Sequence, residues 1–152
     1  MKNIYLIDSN VIVYAYDVTS QFHDISEEII NYALNGRLYS AICDKNLFEF
    51  YAVVTIPKRV MNPIQPDEAC SIISILLNSK IKIYNSDIET IQITLDLLRK
   101  HQIKSQKVFD IAISGIMIKN KIKNIITFND KDFVKIKEIN VINPLVTKLI
   151  YD

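Results

Sequence analysis

The chain has 152 residues, 49% of them hydrophobic, with 2 Gly, 4 Pro and a formal net charge of +1. That composition excludes a disordered or fibrous chain and fits a single domain, residues 1–152, with a full core. No apolar stretch reaches the roughly 18 residues of a membrane helix. The apolar run after Lys2 is broken by Asp8 and Asn10, so a signal-peptide layout is absent and a cytoplasmic location is expected. Cys43 and Cys70 have neither a zinc spacing nor a disulfide framework, and two buried, reduced thiols are expected.

The chain opens on Ile4-Tyr5-Leu6-Ile7-Asp8, a short apolar run ending in an acid. Such a run reads as a strand buried on both faces, as in a parallel sheet. Asn10 is placed to cap a helix through about Asp17, and Asp24-Ile25-Ser26-Glu27 resembles a capping box for a helix that stops at Gly36. A strand over 38–42 follows, then a helix capped by Asp44 and ended before Pro57. The stretch Ile56–Pro66 is irregular and predicts a mobile edge, and Pro66-Asp67-Glu68 starts a helix to about Asn78. After a strand over 81–85, Ser86-Asp87-Ile88-Glu89 reads as a capping box for a helix to about His101. A last helix runs from about Gln106 to Lys121 and buries Val108, Ile111, Ala112 and Gly115. Strands over 124–127 and 139–142 close the chain. Alternating strands and helices predict an α/β domain with a mainly parallel sheet.

The small net charge hides an asymmetry. Residues 1–98 carry a net of −5 and residues 99–137 a net of +7. A lysine-rich segment beside an acidic site is what a polyanionic substrate requires. Lys107 and Lys119 are candidates to hold a phosphate backbone.

Asp24, Asp44, Asp67, Glu68, Asp87 and Glu89 fall at helix N-termini, where caps and the helix dipole favour them, and Glu28, Asp96 and Glu138 read as ordinary exposed acids. Four positions do not fit that account. Asp8 ends a buried strand, so its carboxylate emerges at the carboxyl edge of the sheet, where open parallel sheets bind ligands. Glu49 lies in Leu47-Phe48-Glu49-Phe50-Tyr51, with Ala52 and Val53 at helical spacing, so it falls on an apolar stripe where a carboxylate is costly unless paired. Asp110 sits between Phe109 and Ile111 in an apolar helix. The run Thr127-Phe128-Asn129-Asp130-Lys131-Asp132-Phe133 gathers oxygen side chains after another strand. Carboxylates converging at one sheet edge repel one another unless a cation holds them. An all-oxygen donor set without His or Cys points to Mg²⁺, with Mn²⁺ as a substitute.

Residues 6–15, from Leu6-Ile7-Asp8-Ser9-Asn10 to Tyr14-Ala15, are similar to the opening of PIN-domain nucleases, in particular VapC-type toxins, with Ser9 where Thr is usual. The segment Leu47–Val60 resembles the family's second motif, Val108-Phe109-Asp110-Ile111-Ala112 its third, and Thr127–Phe133 a Thr-x-Asn-x-x-Asp-Phe form of its fourth. Val141-Ile142-Asn143-Pro144 adds to the likeness. The resemblance covers nearly the whole chain in order. It implies a three-layer α/β/α domain and a divalent-metal-dependent endoribonuclease that hydrolyses RNA by a metal-activated water. It also implies a homodimer and a small antitoxin partner.

On that basis Asp8, Glu49, Asp110 and Asp132 are the expected catalytic and metal-binding residues. Asp8 and Asp110 hold the principal ion, Glu49 orients the attacking water and Asp132 completes the site. Asn10, Thr127 and Asn129 orient the carboxylates. The variant form of the fourth motif favours Asp132 over Asp130. Alternatives are a PIN nuclease of housekeeping RNA processing and an inactive PIN scaffold. A haloacid-dehalogenase-type phosphatase lacks its second Asp, since Asn10 stands there, and a receiver-like switch lacks its acidic pair. A serine hydrolase or dinucleotide fold lacks its glycines, since only Gly36 and Gly115 are present.

Overall fold

The computed structural model describes residues 2–149 and 151. Five short strands, β1 (Tyr5–Ile7), β2 (Ser40–Cys43), β3 (Lys82–Tyr84), β4 (Asn124–Ile126) and β5 (Asn140–Ile142), form one sheet in the order β3-β2-β1-β4-β5. All four pairings are parallel; Leu6 lies opposite Ala41 on one side and Ile125 on the other. Six helices connect and cover them: α1 (Ser9–Tyr16), α2 (His23–Leu34), α3 (Asp44–Val54), α4 (Pro66–Leu77), α5 (Ile88–His101) and α6 (Val108–Lys119).

The two-residue alternation of a strand divides the core in two. Ile7, Ile42 and Ile126 point to one face and pack with α1 through α4, around Val11, Ile12, Ile29, Phe50 and Leu76. Leu6, Ala41, Cys43 and Ile125 point to the other and pack with α5 and α6, around Leu97, Ile113, Ile116 and Phe133. The result is the three-layer α/β/α arrangement. Its sidedness follows from handedness: from β1 to β3 the chain moves one way across the sheet, then returns to β4 on the far side of β1. Right-handed crossovers in opposite directions place their helices on opposite faces.

All eleven elements fall where the sequence pattern places them, and the differences lie at helix starts. Asp8, not Asn10, caps α1, accepting from the backbone N–H of Ser9. α2 has no side-chain cap and carries Asp24 in its first turn instead. Cys43, not Asp44, is the N-cap residue of α3. The box at α5 is one residue later than expected: Thr90 N–H donates to Asp87 (2.9 Å) and Asp87 N–H donates to Thr90 Oγ1 (2.7 Å). Cys43 is buried as expected, whereas Cys70 is exposed on the outer face of α4. No helix among the described residues is long and apolar enough to cross a membrane.

α5 and α6 approach closely at Gly115. A Cβ there would sit on Thr94 Oγ1, well inside van der Waals contact, and 3.0 Å from the carbonyl oxygen of Thr90. Thr94 is itself tied down by its hydrogen bond to Thr90 O at 2.7 Å. Gly115→Ala is therefore expected to destabilise the chain. The overpacking cost of about 1–3 kcal/mol exceeds the roughly 1 kcal/mol that Ala gains over Gly in helix propensity. Urea denaturation should show the lowered midpoint, and adding Thr94→Ala should recover part of it.

Candidate functional site

Asp8 leaves the end of β1, the central strand, and the residue is 5% exposed. Five donors surround it. Ser9 N–H (2.8 Å), Ser9 Oγ (3.4 Å) and Asn46 Nδ2 (3.3 Å) approach Oδ1. Thr127 Oγ1 (2.8 Å) and Asn10 Nδ2 (3.3 Å) approach Oδ2. On each oxygen one contact is short and the others are long, so the Ser9 N–H and Thr127 hydroxyl are the principal partners. Thr127 follows β4, the strand paired with β1 on the side where the chain order reverses. The site thus lies at the topological switch point, outside the carboxyl ends of β1 and β4.

Asn10 ties the two strand ends together. Its amide donates to both Asp8 and Thr127 Oγ1 (3.0 Å), while its Oδ1 accepts from Phe128 N–H (3.2 Å). Asn129 contributes its backbone N–H to Thr127 Oγ1 (3.0 Å), and its side chain faces the cleft.

The cleft above these residues has a volume of about 790 Å³. Asp8, Glu49, Asp110 and Asp132 all line it, so four acids separated by up to 124 positions share one wall system. Asp110 is the third residue of α6, where the N-terminal end of the helix favours negative charge. Asp130 does not line the cleft; its Oδ1 accepts from Asn143 Nδ2 at 2.7 Å. The short 3₁₀ turn Asp130–Asp132 turns the two acids to different sides.

Glu49 departs from the sequence expectation. It is exposed, not buried on an apolar stripe: α3 buries Leu47, Phe50 and Val54 and turns Phe48, Glu49 and Ala52 outward. The helix has two apolar faces, one packed and one bordering the cleft, and the sequence pattern does not separate them.

The charges oppose one another. Burial, above all, raises the Asp8 carboxyl to about 6, against the hydrogen bonds from Thr127 and Ser9, with Glu49 and Asp132 adding repulsion. Desolvation also raises Asp110, to about 7, followed by repulsion from Asp132, Asp8 and Glu49, with Lys107 acting the other way. Among the described residues no three of His, Cys, Asp and Glu stand close enough together to hold one ion as placed. The donor chemistry still fits a hard divalent cation: the acids that line the cleft are carboxylates only, with no His or Cys among them.

Three cations line the same cleft: Lys45 at the start of α3, Arg59 from the segment after it, and Lys107 just before α6. Among the described residues none of the three is in a salt bridge. Lys119 is not one of them. It lies at the far end of α6 and pairs with Asp87 and, at 3.2 Å, with Glu89. Of the basic segment 99–137, then, only Lys107 reaches the cleft, and the other two cations come from the acidic part of the chain. Sequence reading also missed Asn46, which is fully buried. Its Oδ1 accepts from Cys43 N–H (3.0 Å) while its amide meets Asp8, linking β2 and α3 to the strand-end acid. The signal was present as an Asn three residues into a helix, in the position a capping box fills.

Comparison with protein-family models matches residues 5–139 to the PIN domain. Comparison with curated sequences gives no match. Among solved structures, VapBC2 from Rickettsia felis bound to a promoter DNA fragment is similar at a TM-score of 0.64 and 20% identity, over 92% of this chain and 98% of that one. FitAcB from Neisseria gonorrhoeae is similar at 0.65 and 13% identity, over 93% and 98%. VapC20 of Mycobacterium tuberculosis, described as a sarcin–ricin loop cleaving toxin, is similar at 0.61 and 11% identity, over 80% and 86%. At such identities these likenesses speak to the fold, whereas the family match spans most of the chain: this chain belongs to the PIN domain family.

Proposed function

We propose that this PIN domain is a divalent-metal-dependent endoribonuclease and the toxin of a toxin–antitoxin pair. The observation that carries the reading is the cleft at the β1/β4 switch point, lined by Asp8, Glu49, Asp110 and Asp132 and by Lys45, Arg59 and Lys107. Carboxylates suit a cation, and the surrounding cations suit a phosphodiester backbone. Among the similar solved structures one is described as a toxin–antitoxin complex from Klebsiella pneumoniae and another as a toxin that cleaves the sarcin–ricin loop, which supports a toxin role and RNA as the substrate.

In this reading Asp8 and Asp110 hold Mg²⁺, or Mn²⁺ in its place, with Asp132 completing the set. When bound, the ion polarises the scissile phosphate and acidifies the attacking water. Glu49, exposed at the cleft wall, orients that water and takes up its proton. Lys45, Arg59 and Lys107 hold phosphate oxygens and offset charge that grows in the transition state. Asn10, Thr127 and Asn46 keep the Asp8 carboxylate turned toward the cleft, and Asn129 supports Thr127. The cellular setting is the cytoplasm, with a homodimer as the active form. An antitoxin segment covers the cleft and sets an Arg against its paired carboxylates, whose geometry the guanidinium fork matches.

Both buried-site carboxyls bind protons more tightly in the folded chain than in the unfolded one. Their contribution therefore favours folding at low pH and is lost as pH rises through about 6 for Asp8 and about 7 for Asp110. Without divalent ions, thermal denaturation should show Asp110→Asn more stable than the parent at pH 8, with the difference shrinking as the pH falls and vanishing only near pH 4, where the unfolded carboxyl is protonated too. Mg²⁺ should stabilise the parent at pH 8 and not at pH 5. RNA cleavage should require Mg²⁺ or Mn²⁺, cease with EDTA and be absent from Asp8→Asn and Asp110→Asn; cleavage by purified Asp110→Asn would overturn the assignment.

The fourth acid can be separated from its neighbour. Asp132→Asn should lower the cleavage rate by about 10² or more, while Asp130→Asn, which removes only the charge facing Asn143, should change it little. The reverse order would show that Asp130 turns into the cleft in the working enzyme.

For the toxin role, expression of the chain alone should slow growth of a host cell and expression of Asp8→Asn should not. Harmless expression of an enzyme that is active in vitro would favour RNA processing instead.

A further inference from the structure

Two phenylalanines in the cleft are largely exposed. Phe48 is 73% exposed and Phe109 61% exposed, whereas the other four phenylalanines are buried or half-buried. Tyr14, Phe22 and Phe128 form one cluster, Tyr16 meets Phe50, and Tyr32 stacks on Tyr151; Phe48 and Phe109 take part in none of these. Both line the cleft that holds the four acids.

Their setting repeats. On α3, Lys45 and Phe48 are three residues apart and so neighbours on the helix surface, and Phe48 immediately precedes Glu49. At the start of α6, Lys107 lies two residues before Phe109, which immediately precedes Asp110. Each helix thus brings a cation, an exposed ring and an acid to the same cleft. The helices belong to opposite layers, so the two sets reach the carboxyl edge of the sheet from its two sides.

A ligand that suits this repeat has an anionic group and a flat π-face on either side of the bond to be cut. Unpaired nucleotides present that pattern: phosphates to the cations and unstacked bases to the rings. The apolar stripe of a partner helix suits it less well, because the rings are interleaved with lysines and carboxylates that such a partner would have to bury.

Resting on the ribonuclease reading, we propose that Phe48 and Phe109 stack on the bases flanking the cleaved phosphate. They are substrate-positioning residues that make the cleft selective for unpaired nucleotides over duplex. Aromatic stacking accepts every base, so selectivity is for exposed bases and not for sequence.

The test is fluorescence anisotropy with the full chain and three labelled probes of equal charge per strand. They are a twelve-nucleotide single-stranded RNA, the same backbone carrying abasic ribose throughout, and the RNA in duplex form. Binding is measured in EDTA to prevent cleavage. The parent should prefer the single strand over the abasic strand by about tenfold or more. Phe48→Leu/Phe109→Leu keeps the apolar bulk, so it should fold with an unchanged circular dichroism spectrum. It should bind the abasic strand as the parent does and lose the preference, and Phe48→Tyr/Phe109→Tyr should restore it. An unchanged preference in the Leu variant, alongside intact RNA binding and cleavage, would overturn the stacking role and leave the ribonuclease reading standing. So would a Leu variant whose only defect is a changed oligomeric state by light scattering, which would assign the rings to a protein interface. A parent that neither binds nor cleaves any RNA would overturn both.

Discussion

The arrangement of this molecule turns on placing a carboxylate charge at the closed end of a buried strand. Asp8 emerges from β1 with apolar Leu6 and Ile7 behind it, where water cannot solvate it. The charge is held by donors drawn from three parts of the chain: the start of α1 at Ser9 and Asn10, α3 at Asn46 and the end of β4 at Thr127. Each donor also has a second partner or a place in an element, so the carboxylate fastens β1, β2 and β4 to one another at their carboxyl edge. The interaction is local in distance and long-range in sequence.

The remaining acids depend on that anchor. Because β1 is central and the chain order reverses beside it, the helices that follow β2 and precede β4 lie in different layers yet both open onto the same edge. Glu49 arrives on α3, Asp110 on α6, and Asp132 on the short turn after β4. The close approach of α5 and α6 at Gly115 sets the depth at which α6 sits in its layer. Once gathered, burial first and then the neighbouring acids raise the proton affinity of Asp8 and Asp110.

Electropositive character is distributed against the trend of the sequence. The lysine-rich segment 99–137 supplies one cation to the cleft, Lys107. The rest of that segment serves the solvent-facing surface or, at Lys119, an ion pair with α5. Lys45 and Arg59 come from a part of the chain with negative net charge. Regional charge therefore locates a substrate surface poorly, because partners in space are not neighbours in sequence.

The fold was legible because its signals are local. Continuous apolar runs mark strands buried on both faces, cap residues and Pro66 mark helix starts, and alternation of the two gives a parallel sheet. The acids that share the cleft were legible for a related reason: a carboxylate at a strand end or in an apolar helix is out of pattern wherever it finally points. What tertiary structure alone decided was direction and company. It turned Glu49 outward on a helix with two apolar faces, chose Asp132 over Asp130 for the cleft by tying Asp130 to Asn143, exposed Cys70, and buried Asn46 against Asp8. Each of these depends on a neighbour dozens of residues away or on which way a short turn rotates, and periodicity along the chain carries no information about either.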